Sequence, residues 1–215
     1  MVNAGRNSIN ISIRKEVDIL NKAYYWYRFH PYFDEFYSGK ILNIISSKNA
    51  LSKYFSELSK MKLIEKYFPK GLNPHGLSTL LEWNINASPA IDSITEIIFE
   101  LVRQLHFPEA PSRLSCLYGS ESITQAEQWL EVFENSSKVA PQSLWEIGFE
   151  SKAKLYDVRF LNIVVSKEFS YLTALDNAYK YWNREFTKQP LSELLIPYPV
   201  VLIRMIRKID IMAKL

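Results

Sequence analysis

Pro111-Ser-Arg-Leu-Ser-Cys-Leu-Tyr-Gly-Ser-Glu-Ser-Ile-Thr-Gln-Ala-Glu-Gln-Trp-Leu-Glu-Val-Phe133 is the stretch from which the fold is read. Arg113 to Tyr118 is apolar and polar by turns directly after a proline, the pattern of a strand. Gly119, Ser120 and Ser122 interrupt it. From Ile123 to Phe133 the apolar residues fall at 126, 129, 130 and 133. That is helical spacing, and Thr124 with Glu127 three residues on supplies a cap. A strand ending in tyrosine thus turns sharply and feeds a helix that folds back on it.

Upstream, Ala23-Tyr-Tyr-Trp-Tyr-Arg-Phe-His30 is dense in aromatics and closed by Pro31, which favours a second strand. On it Tyr24, Trp26, Arg28 and His30 share one face. That face reads either as a sheet edge over which Arg28 snorkels or as a binding surface. Ile11 to Asn21 has the spacing of a short helix. Leu51 to Phe68 predicts a helix with a stripe of Leu51, Tyr54, Phe55, Leu58, Met61 and Ile64. Pro69 to Gly76 is a loop by its prolines and glycines, and Leu77 to Trp83 a short helix. A clearer helix starts at Ser88-Pro89, with Ile91, Ile94, Ile97, Ile98, Leu101, Val102 and Leu105 recurring at three and four. His106 at its end suits the negative pole of the helix dipole.

Downstream, Leu144 to Glu150 alternates, placing Leu144, Glu146, Gly148 and Glu150 on one face of a strand and Trp145, Ile147 and Phe149 on the other. Lys154 to Val158 continues as a strand. Phe169 to Phe186 predicts an aromatic-rich helix. The last apolar run, Glu193 to Ile206, contains Pro197 and Pro199. They exclude a central antiparallel position but allow an edge or a break between two strand pieces.

The 215 residues are 47% hydrophobic and 23% charged, enough for a globular core in one domain. The net charge of +3 is too weak to argue for nucleic acid. A single cysteine, Cys116, excludes an internal disulfide and any cysteine-based zinc site, and on its strand it reads as a small buried side chain. His30, His75 and His106 are scattered, so no metal is expected. The N-terminus has no secretory apolar region and the longest apolar run is too short to span a bilayer. A cytoplasmic protein is expected, or an effector delivered into a host cell. No glycine-rich phosphate loop, nucleophile elbow or H-E-x-x-H motif occurs.

Three pieces in order carry a resemblance. They are Tyr27-Arg28 on an aromatic strand; Leu117-Tyr-Gly-Ser-Glu-Ser-Ile-Thr-Gln-Ala-Glu-Gln-Trp129; and Glu193-Leu-Leu-Ile-Pro following Ala178-Tyr-Lys-Tyr-Trp182. Together they resemble the ADP-ribosyltransferase superfamily, in its diphtheria-toxin-like and PARP-like outline, over about 23–30 and 111–205. The resemblance implies an α+β fold of split antiparallel β-sheets in a single domain, 1–215, with a helical insertion over about 48–107. It also implies NAD as substrate and transfer of ADP-ribose by a toxin-like enzyme to a macromolecular acceptor, protein ahead of nucleic acid, with no membrane and no metal. Glu193 would be the catalytic residue, stabilising the ribosyl cation. Arg28 would hold the diphosphate or ribose, Tyr118 and Trp129 would stack on nicotinamide, and His30 and Ser115 would complete the NAD site. Tyr27-Arg28 stands where the family has His-Gly-Thr/Ser, and Leu191 stands where an arginine-modifying enzyme has a second acid. Arginine is therefore disfavoured as the modified residue. NAD hydrolysis or phosphorolysis is the alternative, and a non-catalytic interaction protein on the same fold the third reading.

Overall fold

The computed structural model describes residues 20–28, 36–44, 58–81, 90–135, 141–161 and 170–209. The expected helix over Ile11–Asn21 falls almost wholly outside them, as do His30, residues 51–57 of the Leu51–Phe68 helix, and the start at Ser88-Pro89. The chain forms two compact units: 1–43, 119–152 and 199–215 in the first, and 44–118 and 153–198 in the second.

The first unit holds a four-stranded sheet in the order β1 (Asn21–Arg28), β4 (Pro141–Phe149), β7 (Val200–Lys208), β2 (Ile41–Leu42). Its pairings β1–β4, β4–β7 and β2–β7 are all antiparallel. With neighbours on both sides, β4 is buried from Ser143 to Phe149. The alternation expected there does not sort into an inner and an outer face. Trp26 of β1 packs with Leu144 and with Ala126 of helix α4 (Ile123–Asn135), and its indole N–H donates to the Ala126 carbonyl at 2.6 Å. Thr124 does not cap α4. Ser122 Oγ accepts from Gln125 N–H at 3.2 Å, and the Gln125 side chain reaches back to Glu121 N–H at 2.9 Å. The sequence has the capping pattern two residues earlier than the Thr124–Glu127 reading, at Ser122 and Gln125.

The second unit holds a three-stranded sheet, β3 (Cys116–Gly119), β6 (Ser192–Pro197), β5 (Lys154–Asp157), with β5 and β6 antiparallel. The break at Pro197 and Pro199 is realised, but each half takes an inner position in its own sheet. Pro197 ends β6 and Pro199 precedes β7, so neither needs to donate within a ladder. Helices α1 (Leu58–Tyr67), α2 (Pro74–Leu81), α3 (Ala90–His106) and α5 (Tyr171–Trp182) complete this unit. Its core joins Ile98, Phe99 and Val102 of α3 to Ala174, Ala178, Tyr181 and Trp182 of α5 and to Tyr156 and Leu195 of the sheet. Tyr181 stacks on Tyr156 at 4.7 Å, and the Trp182 indole N–H donates to the Phe99 carbonyl at 2.7 Å.

Two sequence expectations are corrected here. Arg113 to Ser115 is a 3₁₀ turn, not the start of a strand: Ser112 Oγ accepts from Leu114 N–H and holds the turn, and β3 begins only at Cys116. The apolar stripe of α3 is also wider than its buried face. Thr95, Glu96, Ile98, Phe99, Glu100 and Val102 are buried, while Ile94, Leu101 and Leu105 are exposed, Leu105 to 74%. Two glutamates one turn apart therefore face inward. No described helix is long and apolar enough to cross a membrane.

Candidate functional site

The inward glutamates of α3 take hold of the dipeptide Ser112-Arg113. Glu100 accepts from Ser112 Oγ at 2.8 Å and is forked by Arg103 through Nε and Nη2. Glu96 is forked by Arg113, whose Nε and Nη2 each donate at 2.9 Å. Spacing of four residues sets both carboxylates on one face of α3, and the 3₁₀ turn delivers Arg113 to one of them. A guanidinium that is 7% exposed needs such partners, because an unpaired buried charge is costly.

Arg113 has a second set of contacts. Its Nη1 donates to the Tyr181 hydroxyl at 3.1 Å and pairs with Glu193 Oε1. Tyr181 in turn donates to Glu193 Oε1 at 2.6 Å. Glu193 stands near the start of β6 and is 2% exposed. The guanidinium also lies over the Tyr118 ring at 4.9 Å and near that of Tyr181 at 5.7 Å, both cation–π contacts. The Tyr118 hydroxyl donates to the Arg113 carbonyl at 2.6 Å, closing the turn on itself. Arg113 is thus the hub that joins α3, β3, α5 and β6.

The cluster reaches solvent through His75, whose side chain is 42% exposed. Its Nε2 lies 3.1 Å from Glu96 Oε1 but off the line of a straight hydrogen bond, and its ring meets Tyr118 edge-on at 5.7 Å. Asn73 fixes His75 in place. Its Oδ1 accepts from Gly76 N–H at 2.6 Å, capping α2, while its Nδ2 donates to the carbonyls of Arg113 and Cys116. Gly76 allows the close approach: a Cβ there would stand 2.5 Å from the Leu114 carbonyl oxygen.

Charge is distributed accordingly. Burial alone would raise the Glu96 carboxyl, but the Arg113 guanidinium and His75 outweigh it and hold it well below the usual carboxylate range. Burial likewise opposes the charge on Arg113, and Glu96 overrides it. Tyr118 and Tyr181 are raised by burial despite the nearby guanidinium, so both keep their protons. Burial pushes the Cys116 thiol up to about 12, which removes it as a nucleophile at neutral pH.

Of the residues singled out from sequence, Tyr118 and Glu193 meet on Arg113. Ser115 lies in the 3₁₀ turn and donates to the Gly71 carbonyl at 2.7 Å. Trp129 belongs to the first unit, where it packs on the Trp26 cluster and stacks with Phe133 at 5.6 Å. Arg28 ends β1 in the same unit, and His30 lies outside the described residues. Arg113, Glu96, Tyr181 and His75 were not foreseen. Their one signal was the pair of acids, Glu96 and Glu100, at helical spacing inside an apolar stripe. Among the described residues no group of three or more His, Cys, Asp or Glu side chains is placed to hold a metal ion.

No curated protein matches the chain. A family model does match, over residues 11–209, and the chain therefore belongs to the family described as a protein of unknown function, DUF2441.

Proposed function

We propose that this protein is an NAD-dependent ADP-ribosyltransferase, toxin- or effector-like, that transfers ADP-ribose to a macromolecular acceptor. The observation that carries the reading is the meeting of Tyr118 and Glu193 on the guanidinium of Arg113, from hydrogen-bonded neighbouring strands. Two small sheets of four and three strands fit the split-sheet architecture this activity uses. Cleavage of the bond between ribose and nicotinamide develops positive charge on the ribosyl carbon. Two carboxyl groups, Glu96 and Glu193, converge on the single guanidinium of Arg113. Buried acids held in place by hydrogen bonds stabilise such a cation without reorganising. Glu193 is the catalytic member of the pair, and the half-buried Tyr118 ring is the stacking surface for nicotinamide.

The test is incubation of the purified protein with NAD carrying a label on its adenosine, alone and in lysate, with Glu193→Gln in parallel. Label on a macromolecule, lost in the folded variant, is the expected result. Nicotinamide release without such label would move the reading to NAD degradation. Neither label nor release would leave a non-catalytic role for the fold.

A further inference from the structure

We infer that His75 is the general base of this site: its imidazole takes the proton of the nucleophile that attacks the ribosyl carbon. The inference rests on the NAD-cleaving reading above and assigns a residue that no part of the family resemblance includes.

Four observations lead to it. First, His75 is the one member of the Glu96–Arg113–Glu193 cluster with substantial exposure, so it is the group a solvent-borne nucleophile meets. Second, its Nε2 is buried and turned to Glu96 at 3.1 Å. The side chain is 42% exposed, and Nδ1 is its other nitrogen able to accept a proton. A carboxylate beside the ring stabilises the imidazolium that forms when Nδ1 takes a proton. Third, the ring touches Tyr118, the proposed nicotinamide platform, at 5.7 Å. Fourth, the segment Asn73-Pro-His-Gly76 is built to present it. Asn73 ties the start of α2 to the Arg113–Cys116 turn, and Gly76 lets α2 approach that turn to a distance no other residue allows. A solvated loop histidine needs none of this.

The groups facing His75 from the packed elements are Glu96 on α3, Arg113 on the 3₁₀ turn and Tyr118 on β3. Glu96 is held ionised by Arg113 and Tyr118 is held protonated, so neither takes the nucleophile's proton. The step balances simply. The nucleophile oxygen, of water or of an acceptor hydroxyl, bonds to C1′ as the C1′–N bond breaks. The bonding pair leaves on nicotinamide, which departs neutral, and the nucleophile's proton goes to His75 Nδ1.

The probe is NAD with water as nucleophile, read as nicotinamide release across pH, for wild type, His75→Gln and His75→Ala. General bases contribute about 10²–10⁴-fold. Release by His75→Gln should therefore fall by at least about 100-fold in kcat with KM little changed, and the acid limb of the wild-type pH profile should disappear. Added imidazole should restore part of the activity of His75→Ala, which a purely structural role would not allow. A folded His75→Gln with wild-type kcat and pH profile overturns the assignment while leaving the NAD reading intact. So does His75→Ala that imidazole does not rescue. A wild type that releases no nicotinamide at any pH overturns both.

Discussion

Glu193 and Glu146 are both buried acids on inner strands, and they are held in opposite ways. In the second unit, Glu193 meets a guanidinium that is itself buried, and that guanidinium is gripped from the other side by Glu96. In the first unit, Glu146 on β4 is paired with Arg204 at 2.5 Å and Lys22 at 3.6 Å, whose side chains are 69% and 47% exposed. Solvent screens the second arrangement, so its ions interact weakly and exchange freely with water. Solvent is excluded from the first, so each charge there depends on the others. The comparison teaches that a buried acid alone says little. The burial of its partner separates a sheet-surface ion pair from a preorganised cluster.

The largest break in that contrast should come from Arg113→Met. It leaves two buried carboxylates without their cation, a loss of about 3–5 kcal/mol. For a chain of this size that lowers Tm by roughly 6–20 °C. A Tm within a degree of wild type would mean that the cluster is not coupled as described. Gly76→Ala comes next. The new Cβ meets a backbone oxygen that cannot swing aside, so overpacking should cost about 1–3 kcal/mol in urea unfolding.

The pH response sharpens the comparison further. The Glu96 carboxyl is lower in the folded chain than in the unfolded one. Its stabilisation is therefore fully present above the unfolded carboxylate value, about 4.3, and is lost progressively as pH falls below it. Urea midpoints measured at neutral pH and in acid should converge for Glu96→Gln and diverge for wild type. Identical acid sensitivity in both would remove Glu96 from the cluster. The smallest effect belongs to Arg204→Ala. Its unfolding midpoint should differ little from wild type at low salt and not at all in 1 M salt, whereas that of Arg113→Met should differ in both.

Much of the fold was legible because its signals are local. The helices at Ala90–His106 and Ile123–Asn135 follow from apolar residues at three and four, and the alternation of Leu144–Glu150 marks most of the strand at Pro141–Phe149. Tyr118 and Glu193 were singled out by the order of short motifs, and both contact Arg113. Arg113 was not. It stands in a proline-led segment whose alternation imitates a strand, and its 3₁₀ turn depends on a Ser112 cap and on Glu96 and Glu100 far along the chain. Glu96 was hidden because the eye follows isoleucines and leucines along α3, several of which turn out to face solvent. Trp129 shows the converse: an aromatic that fits a motif was recruited to pack on Trp26. Tertiary partners, absent from local periodicity, decided all three.

Nicotinamide release from NAD by the purified protein, wild type beside Glu193→Gln, bears most directly on the claim that this cluster is a catalytic centre. Release by the wild type, abolished in a variant whose far-UV spectrum shows it folded, is the expected result. No release by the wild type, or equal release by the folded variant, would contradict it.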